Sequence, residues 1–485
     1  MTSSADTPPD QTGRKQRPAP SRDTARNAPG AGIRRDDGEG LAARRLAFTV
    51  IGEVLRSRRP LDDAFPQALS QMKTPIPQRD AALARAICIV AFRRMGTIHA
   101  ALAARMTGKA AKGQLRDLLT VIAAQILFLD VPDHAAVATG VALARAHPDL
   151  KHYAKLVNAL GRRIAREREA ILAEAGPLDD LPEWLRTRWL AGWGEAECIA
   201  MAGVLRREAP LDLTLRDDQD GQARALWAER LDARILPTGS LRLSDRRAVE
   251  TLPGYDEGAW LVQDAAAAIP ARLLAVGPGE RVADLCAAPG GKTVQLAARG
   301  ADVLAVDRSQ KRLTRVAENL ARLRLTAQLR AADVLALEDD LRFDAILLDA
   351  PCSATGTLRR NPDVAWTKTP EDIAKLADLQ RRLIDKAVAL LAPGGRLVYC
   401  TCSLEPEEGE AQARYLLERH GDMQRLAITA DELAASDPAQ DLAGLIDAQG
   451  DFRALPHRGG SGLAEGLDGF FAARFCKLPA AGEPA

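Results

Sequence analysis

Apolar residues recur every three or four positions along residues 41–170, with charged and polar residues between them. Leu46, Val50 and Val54 are spaced four apart, which places them on one face of a helix. Breaks that contain Pro or Gly separate this stripe from the next ones, which run through 79–94, 112–128, 134–146 and 153–168. The pattern predicts a compact all-α domain over residues 41–170.

Beyond this helical region the pattern changes twice. Residues 210–216 and 234–244 favour short strands around a polar turn, which predicts a small α+β linker subdomain over 171–251. From residue 252 onward, short apolar strands alternate with helices at the spacing of a parallel sheet. We therefore expect an α/β Rossmann-like domain over 252–480.

Each of four predicted strands in this last domain ends beside a polar or reactive residue. The strands are 281–285, 301–307, 343–349 and 396–401. In a doubly wound sheet the carboxyl ends of the strands line the ligand crevice. We therefore expect the residues at these four ends to meet in one site.

The first strand leads into a glycine turn at 289–291 and a helix expected from about Thr293. GGKT resembles the end of a phosphate-binding loop, but Cys286 stands where that pattern requires Gly, and GxGxxG is absent as well. What remains is Asp284 before the turn and Asp307 at the end of the next strand. An acid at that second strand end suits hydrogen bonds to ribose hydroxyls, and backbone near the glycines can admit a carboxylate or amino group, so the pattern favours a nucleoside ligand over a triphosphate.

Composition sets wider limits. A chain of 485 residues is expected to form two or three domains, and its apolar runs are too short to span a bilayer. Residues 1–40 are rich in Pro, Gly, Ser and Arg and predict a disordered basic tail. The N-terminus has no apolar segment typical of a signal peptide, so we expect a cytoplasmic protein with no membrane partner.

The net charge of +1 is the sum of a strongly basic region and a strongly acidic one. Residues 41–170 contain 21 Lys and Arg against 10 Asp and Glu, a net of +11, whereas residues 171–485 have a net of −11. A basic domain beside an acidic one is typical of a protein that holds a polyanion with one part and does something else with the other. Charge alone does not distinguish a polyanion-binding surface from basic residues that are simply exposed to solvent.

The seven cysteines form no disulfide framework, because their count is odd and their spacing irregular. Zinc-type ligand pairs are also missing, so we expect no metal. Cys400 lies inside a predicted strand and reads as core packing, as do Cys88, Cys198 and Cys476. Cys352 and Cys402 instead follow strand ends in polar settings, PCS and TCS, and two thiols in one crevice indicate covalent chemistry.

Several long motifs resemble one known family. DLCAAPGGKT, LLDAPCSATGTLRRNPDVAW, YCTCSLEPEEGE and DGFFAARF, with VQD ahead of them, resemble the Sun family of RNA cytosine-C5 methyltransferases. LRRNPDVAW and the helical domain, with DVPDHAAVATGVALAR and LVNALGRR, resemble the RsmB branch. The N-terminal domain of that branch is similar to the antitermination factor NusB, and the branch methylates small-subunit (16S) rRNA.

The resemblance implies a mechanism and a set of site residues. Cys402 would be the nucleophile that adds to carbon 6 of cytosine, and Cys352 would assist proton removal and breakdown of the adduct. Asp349 would hydrogen-bond the base, and Lys292 would orient the thiol or the substrate. The cofactor would be S-adenosylmethionine, bound by Asp284, Cys286, Ala287, Ala288, Pro289, Gly290, Gly291, Lys292, Asp307, Arg312, Asp333 and Asp349.

Some alternatives stay open at this point. Asp333 is equally suited to a surface cap, Arg312 to a salt bridge, and Lys292 to a solvated helix start. DNA methyltransferases use the cysteine of a PC motif as nucleophile, although TCS favours Cys402 and RNA over DNA. We expect a monomer that acts on RNA. The competing hypotheses are a tRNA substrate and a NusB-like binding module without chemistry.

Overall fold

A computed structural model describes residues 40–479 except residues 73, 109, 218–220, 245–246 and 435–441. The predicted tail, residues 1–40, therefore lies outside the described residues apart from Gly40. The described chain forms a helical region, a small antiparallel sheet and a large mixed sheet covered by helices.

The helical region confirms the predicted all-α domain. In the first helix, Leu46, Val50 and Val54 are at most 1% exposed, as their spacing predicts. They join one apolar core that all the longer helices of this region share. The helices are α1 (Leu41–Ser57), α2 (Leu61–Ser70), α3 (Gln78–Arg93), α4 (Met95–Arg105), α5 (Gly113–Phe128), α6 (Asp133–Ala146), α7 (Ala154–Arg166) and α8 (Arg168–Glu174).

Among the described residues no single helix is long and apolar enough to cross a membrane. Helices α3 and α4 reach that length and composition only when joined, and the chain bends by 77° between them. Their apolar residues belong to the core of the helical region, for example Ile87 in α3 and Ile98 in α4.

The next segment adds three helices and a small antiparallel sheet of four strands. Its elements are α9 (Glu183–Trp193), α10 (Glu195–Leu205), β1 (Asp212–Leu215), α11 (Gly221–Leu231), β2 (Ala233–Ile235), β3 (Leu241–Leu243) and β4 (Trp260–Val262). The strand order in the sheet is β2-β3-β1-β4. Leu213 and Leu241 pair across β1 and β3 and are fully buried with Trp260. The buried carboxylate of Asp212 accepts two hydrogen bonds from Arg242, at 2.7 and 2.8 Å.

The large sheet has the strand order β7-β6-β5-β8-β9-β12-β10, and β11 pairs with β12. Neighbours from β7 to β9 are parallel, whereas β12 is antiparallel to β9. Chain order runs outward in opposite directions from β5 and β8, which creates the crevice where such sheets bind ligands. The strands are β5 (Arg281–Leu285), β6 (Asp302–Asp307), β7 (Gln328–Ala331), β8 (Phe343–Asp349), β9 (Leu391–Thr401), β10 (Met423–Arg425), β11 (Phe452–Ala454) and β12 (Phe470–Lys477).

Helices cover both faces of this sheet, and side chains on each face form a separate core. Along β9 the side chains alternate, so Leu397 and Tyr399 join one core while Val398 and Cys400 join the other. This alternation explains why Cys400 is fully buried, as its position in the strand predicted. The helices are α12 (Ile269–Leu273), α13 (Gly291–Ala298), α14 (Gln310–Leu323), α15 (Val364–Thr367), α16 (Pro370–Leu390), α17 (Glu410–Arg419) and α18 (Ala430–Leu433).

The helical region is attached to the segment 358–372, which includes α15 and the first residues of α16. Asp363 accepts a hydrogen bond from the backbone N–H of Leu61 at 2.9 Å, and the Trp366 indole donates to the carbonyl of Phe92 at 2.9 Å. Arg93 donates to the carbonyl of Arg359 at 3.1 Å. Because these partners are fixed backbone groups, the contacts hold the helical region in one position on this segment.

Candidate active site

The carboxyl ends of β5, β6, β8 and β9 lie side by side, as the sequence predicted. Asp284 is paired in register with Ala305 of β6 and Leu347 of β8, and Asp349 with Cys400 of β9. The acids near these ends and Cys402 therefore belong to one edge of the sheet.

The loop after β5 has a backbone that suits few residues. Cys286 has φ 64°, and Gly290 has φ 99°, a conformation that favours glycine. A Cβ on Gly290 would also lie 2.8 Å from Cγ1 of Val316, so a side chain there would have to displace α14. Helix α13 begins at Gly291, two residues before the predicted start at Thr293, and its first residues follow the loop without a break.

The two candidate thiols are in direct contact. Sγ of Cys352 lies 3.5 Å from Sγ of Cys402, although the residues are fifty positions apart, and both side chains are half-buried. The hydrogen bond with Cys402 and then burial raise the pKa of Cys352 well above its ordinary value. Burial and then the charge of Asp349 raise the pKa of Cys400, whose sulfur lies 3.5 Å from that carboxylate. Cys352 and Cys402 thus form a pair beside the strand ends.

Lys292 projects into the same place. Its ammonium group donates to Asp349 at 2.7 Å and lies 5.2 Å from the centre of the Phe470 ring. Burial lowers the pKa of Lys292, but the charges of Asp349, Cys400 and Cys402 raise it more, so the net shift is upward and the amine stays protonated. The residue is only 8% exposed, so it is not a solvated helix start.

These groups open onto a cavity of about 440 Å³ between the large sheet and the small antiparallel sheet. Six of the predicted site residues line it, namely Ala287, Pro289, Gly291, Lys292, Asp349 and Cys402. The wall on the other side includes Tyr255, Trp260, Val262, Asn319 and Arg322. A concave site of this size, lined by polar and charged side chains together with Cys402, is suited to one flat organic ring and its substituents.

A second cluster of predicted residues lies next to the cavity, around the end of β6. The buried carboxylate of Asp307 accepts hydrogen bonds from the backbone of Ala288 at 3.2 Å and of Ser309 at 2.9 Å. Arg312 forms an ion pair with Asp307 at 3.2 Å and also contacts the carbonyl of Ala288. Arg312 therefore has the salt bridge that its position allowed, and this bridge ties the glycine loop to β6.

Asp284 and Asp333 differ in their surroundings. Asp284 is fully buried; one carboxylate oxygen accepts from the hydroxyl of Thr293, and the other has no hydrogen-bond partner within the described residues. Burial raises the pKa of Asp284 to about 7. Asp333 is exposed and accepts from the backbone N–H of Leu335 at 3.0 Å, so it caps a short 3-10 turn after β7.

Sequence reasoning assigned no role to a buried ionic cluster that also reaches the cavity. Arg359 is 1% exposed and donates to Asp264 at 2.5 Å, while Arg360 donates to Asp468 at 2.7 Å. Asp264, Asp468 and Arg360 line the cavity, as do Gln263, Thr357 and Phe470. The only signal was that these residues lie in the VQD, LRRNPDVAW and DGFF motifs, because their spacing along the chain predicts no contact.

The residues present fit S-adenosylmethionine. The loop 286–291 is built from small residues, so its backbone is open to a ligand. Asp284 has a buried carboxylate oxygen without a partner, and Asp333 has an exposed carboxylate at the end of β7. Carboxylates at strand ends suit the hydroxyl and amino groups of a nucleoside amino acid. No group of three or more His, Cys, Asp or Glu side chains within the described ranges is arranged to hold a metal ion.

Comparison with known proteins gives consistent results across the chain. Residues 271–476 match the model of the 16S rRNA methyltransferase RsmB/F family, and residues 41–166 match the model of the NusB family. The ribosomal RNA small subunit methyltransferase B of Erwinia tasmaniensis is 36% identical over 398 residues, which are 78% of this chain and 90% of that protein.

Two solved structures share the fold. The crystal structure of PH0851 has a TM-score of 0.65 at 23% identity and covers 90% of this chain and 98% of that one. NSun6 from Pyrococcus horikoshii, crystallised with SFG, has a TM-score of 0.52 at 20% identity and covers 61% and 98% respectively. The first of these extends over nearly all of this chain, which agrees with the order of domains described above.

Proposed function

Because the chain belongs to the RsmB/F family of 16S rRNA methyltransferases, we propose that it forms 5-methylcytosine in small-subunit rRNA through a covalent adduct of Cys402. The observation that carries this proposal is the contact between two thiols, 3.5 Å apart at the ends of two strands, beside the Lys292–Asp349 ion pair. A pair of free thiols in a cavity suits a reaction that adds a sulfur to a base and then removes it.

The chemistry requires a nucleophile because carbon 5 of cytosine is unreactive by itself. Attack of the Cys402 thiolate on carbon 6 forms a carbon–sulfur bond and moves the ring electrons towards N3 and carbon 5. S-adenosylmethionine, when bound, supplies the electrophilic methyl group that carbon 5 takes up. Removal of the carbon 5 proton then returns its electron pair to the ring and expels the Cys402 thiolate.

Each neighbouring group has a place in this scheme. The positive charge of Lys292 lies close to Cys402 and interacts electrostatically with its sulfur. Asp349 is 26% exposed and faces the cavity, where it can hydrogen-bond the N3 side of the ring as that side gains a proton. Cys352 touches Cys402 and is placed to accept the carbon 5 proton and assist release of the adduct. Asp284, Asp307, Asp333 and the loop 286–291 would hold the cofactor.

The RNA must present an unstacked base, since Cys402 lines a cavity rather than the outer surface. The helical region, with its excess of basic residues, would bind the flanking phosphates and set the position of the RNA without reading its sequence. Its match to the NusB family supports an RNA-binding role.

The test is methyl transfer from labelled S-adenosylmethionine to unmodified small-subunit rRNA, with products also read on a denaturing protein gel. Wild type should methylate, Cys402→Ala should be inactive and form no adduct, and Cys352→Ala should accumulate a protein–RNA adduct. Cys400→Ala is the matched control, because it removes a thiol two residues away that lies in the core.

Other outcomes would contradict the proposal in distinct ways. Activity in Cys402→Ala with loss in Cys352→Ala would reverse the two roles. Methylation of tRNA but not rRNA would change the substrate, and binding of RNA without any transfer by wild type would favour a binding module.

A further inference from the structure

The motif after Cys402 contains an acidic residue that the proposed reaction does not use. Glu408 is fully buried, and its carboxylate lies between the two loops that carry the thiols. One oxygen accepts from the backbone N–H of Ser353 at 2.9 Å and from the Gln380 amide at 3.1 Å. The other accepts from the hydroxyls of Ser353 and of Ser403, the latter at 2.6 Å.

The two serines are the residues directly after the thiols. Ser353 follows Cys352, and Ser403 follows Cys402, so Glu408 connects the two loops through one side chain. The hydroxyls of the two serines also lie 3.1 Å apart. The Glu408 carboxylate therefore links the two loops whose sulfurs lie 3.5 Å apart.

All these partners of the Glu408 carboxylate are hydrogen-bond donors. A carboxylate that accepts from donors on both oxygens is stabilised in its ionised form, whereas a protonated acid would need an acceptor for its own hydrogen. Burial still raises the pKa of Glu408 above its usual value, and the hydrogen bonds from Ser353 and Ser403 oppose that shift. The structure thus has a buried negative charge on the Cys352 side of the pair.

Charged and polar groups interact with both thiols. Lys292 and Arg360 interact electrostatically with Cys402. Glu408 and the buried hydroxyl of Tyr399 interact electrostatically with Cys352. The nearby groups that complete the surroundings are Asp349, paired with Lys292; Asp468, paired with Arg360; Cys400, which faces Asp349; and Arg453, which donates to the carbonyl of Ser403 and pairs with Glu410.

We propose that Glu408 is a positioning residue that sets the distance between the two thiols and places a negative charge beside Cys352. The hydrogen bond to Cys402, burial, the charge of Cys402 and the charge of Glu408, in that order, raise the pKa of Cys352. The charge of Glu408 therefore adds to the proton affinity of the thiol that is proposed to take up the carbon 5 proton. The inference rests on the proposed function only for the name of the reaction.

The test measures the rate of alkylation of each thiol by iodoacetamide as a function of pH, with peptides quantified by mass spectrometry. Glu408→Gln removes the charge at nearly constant shape. In this variant the pH midpoint for alkylation of Cys352 should fall by about one unit. At pH values below the midpoint, the alkylation rate should therefore rise roughly tenfold. Glu405→Gln is the matched control, because Glu405 is equally buried in the same loop but bonds Trp189 and Arg188.

An unchanged thermal transition will show that Glu408→Gln is folded. If this folded variant keeps the wild-type pH midpoint for Cys352 alkylation, the proposal is wrong. An equal shift in Glu405→Gln would also overturn it. If Glu408→Gln does not fold, Glu408→Asp keeps the charge but is too short to hold both loops. Glu408→Asp should keep the wild-type midpoint and form the RNA adduct about a hundredfold more slowly, and adduct formation at the wild-type rate would refute the positioning role.

Alkylation of the free protein needs neither RNA nor cofactor. The experiment therefore tests the role of Glu408 independently of the proposed methylation reaction. If wild type methylates no RNA while the midpoints behave as expected, only the proposed function is wrong. If wild type methylates rRNA and Glu408→Gln labels as wild type does, only the role of Glu408 is wrong.

Discussion

Arg359 offers a sharp test of how the ionic cluster beneath the cavity is held together. Its guanidinium is 1% exposed, pairs with Asp264 at 2.5 Å and donates to the carbonyl of Gly466 at 2.9 Å. It also lies 3.7 Å from Asp468. Replacing Arg359 by Met keeps the apolar stem but leaves two buried carboxylates with Arg360 as their nearest described cation.

The expected cost follows from these distances. With charge centres about 4 Å apart and an effective dielectric constant of about 20, one such pair is worth about 4 kcal/mol. Removing one partner of a buried pair typically costs about 3–5 kcal/mol, because the other charge is left without compensation. For a protein of this size we therefore expect Arg359→Met to lower the thermal midpoint by roughly 4 °C.

The measurement is calorimetric unfolding of Arg359→Met and of Arg360→Met, its sequence neighbour. Arg360 is 43% exposed at the side chain, so its loss should cost much less stability while still impairing RNA methylation. Adding Asp264→Asn to Arg359→Met should recover about half of the lost stability, because it removes the uncompensated charge. A fall of less than about 2 °C in Arg359→Met, or no recovery in the double variant, would refute the reasoning.

Three further predictions concern RNA binding, pH and the neighbouring cysteine. Changing the exposed Lys155 and Arg162 to Gln should reduce the slope of log affinity against log salt for rRNA by about 1–2, measured by filter binding, with cofactor binding unchanged. Burial raises the pKa of Asp284 to about 7, so between about pH 4 and pH 7 the folded state keeps a proton that the unfolded state releases. Wild type should therefore lose stability relative to Asp284→Asn as the pH rises from about 4 to about 7. Denaturant titrations at several pH values measure this, and a difference in unfolding free energy that does not change with pH would contradict it. Cys400→Ala should cost about 1 kcal/mol of unfolding free energy, as for one buried methyl-sized group, yet form the Cys402 adduct at the wild-type rate.

The sequence predicts β5, β6, β8 and the second half of β9 well, because each is a short apolar run that ends at or beside a distinct residue. Asp307 and Asp349 end β6 and β8 as expected. The start of α13 at Gly291 was harder to predict, since glycine has a low intrinsic preference for helix and the bound of the helix is fixed by the loop before it.

Contacts between distant segments could not be predicted in the same way. Asp264 and Arg359 are ninety-five positions apart, and each reads in sequence as an ordinary charged residue. The strand β4 has only three residues and pairs with β1, so it gives almost no periodic signal. Likewise, nothing in the spacing of Glu408 and Ser353 indicates that one accepts hydrogen bonds from the other. Such contacts depend on the packing of whole elements.

The attachment of the helical region to the segment 358–372 has a consequence for target choice. Arg360, on the wall of the cavity, lies in the same short segment as Asp363 and Trp366, which hold the helical region. If the helical region binds the RNA phosphates, as proposed, the distance between those phosphates and the base beside Cys402 is then fixed by the protein. Under the same proposal, the enzyme would select a cytosine by its distance along the RNA from the bound phosphates as well as by its identity.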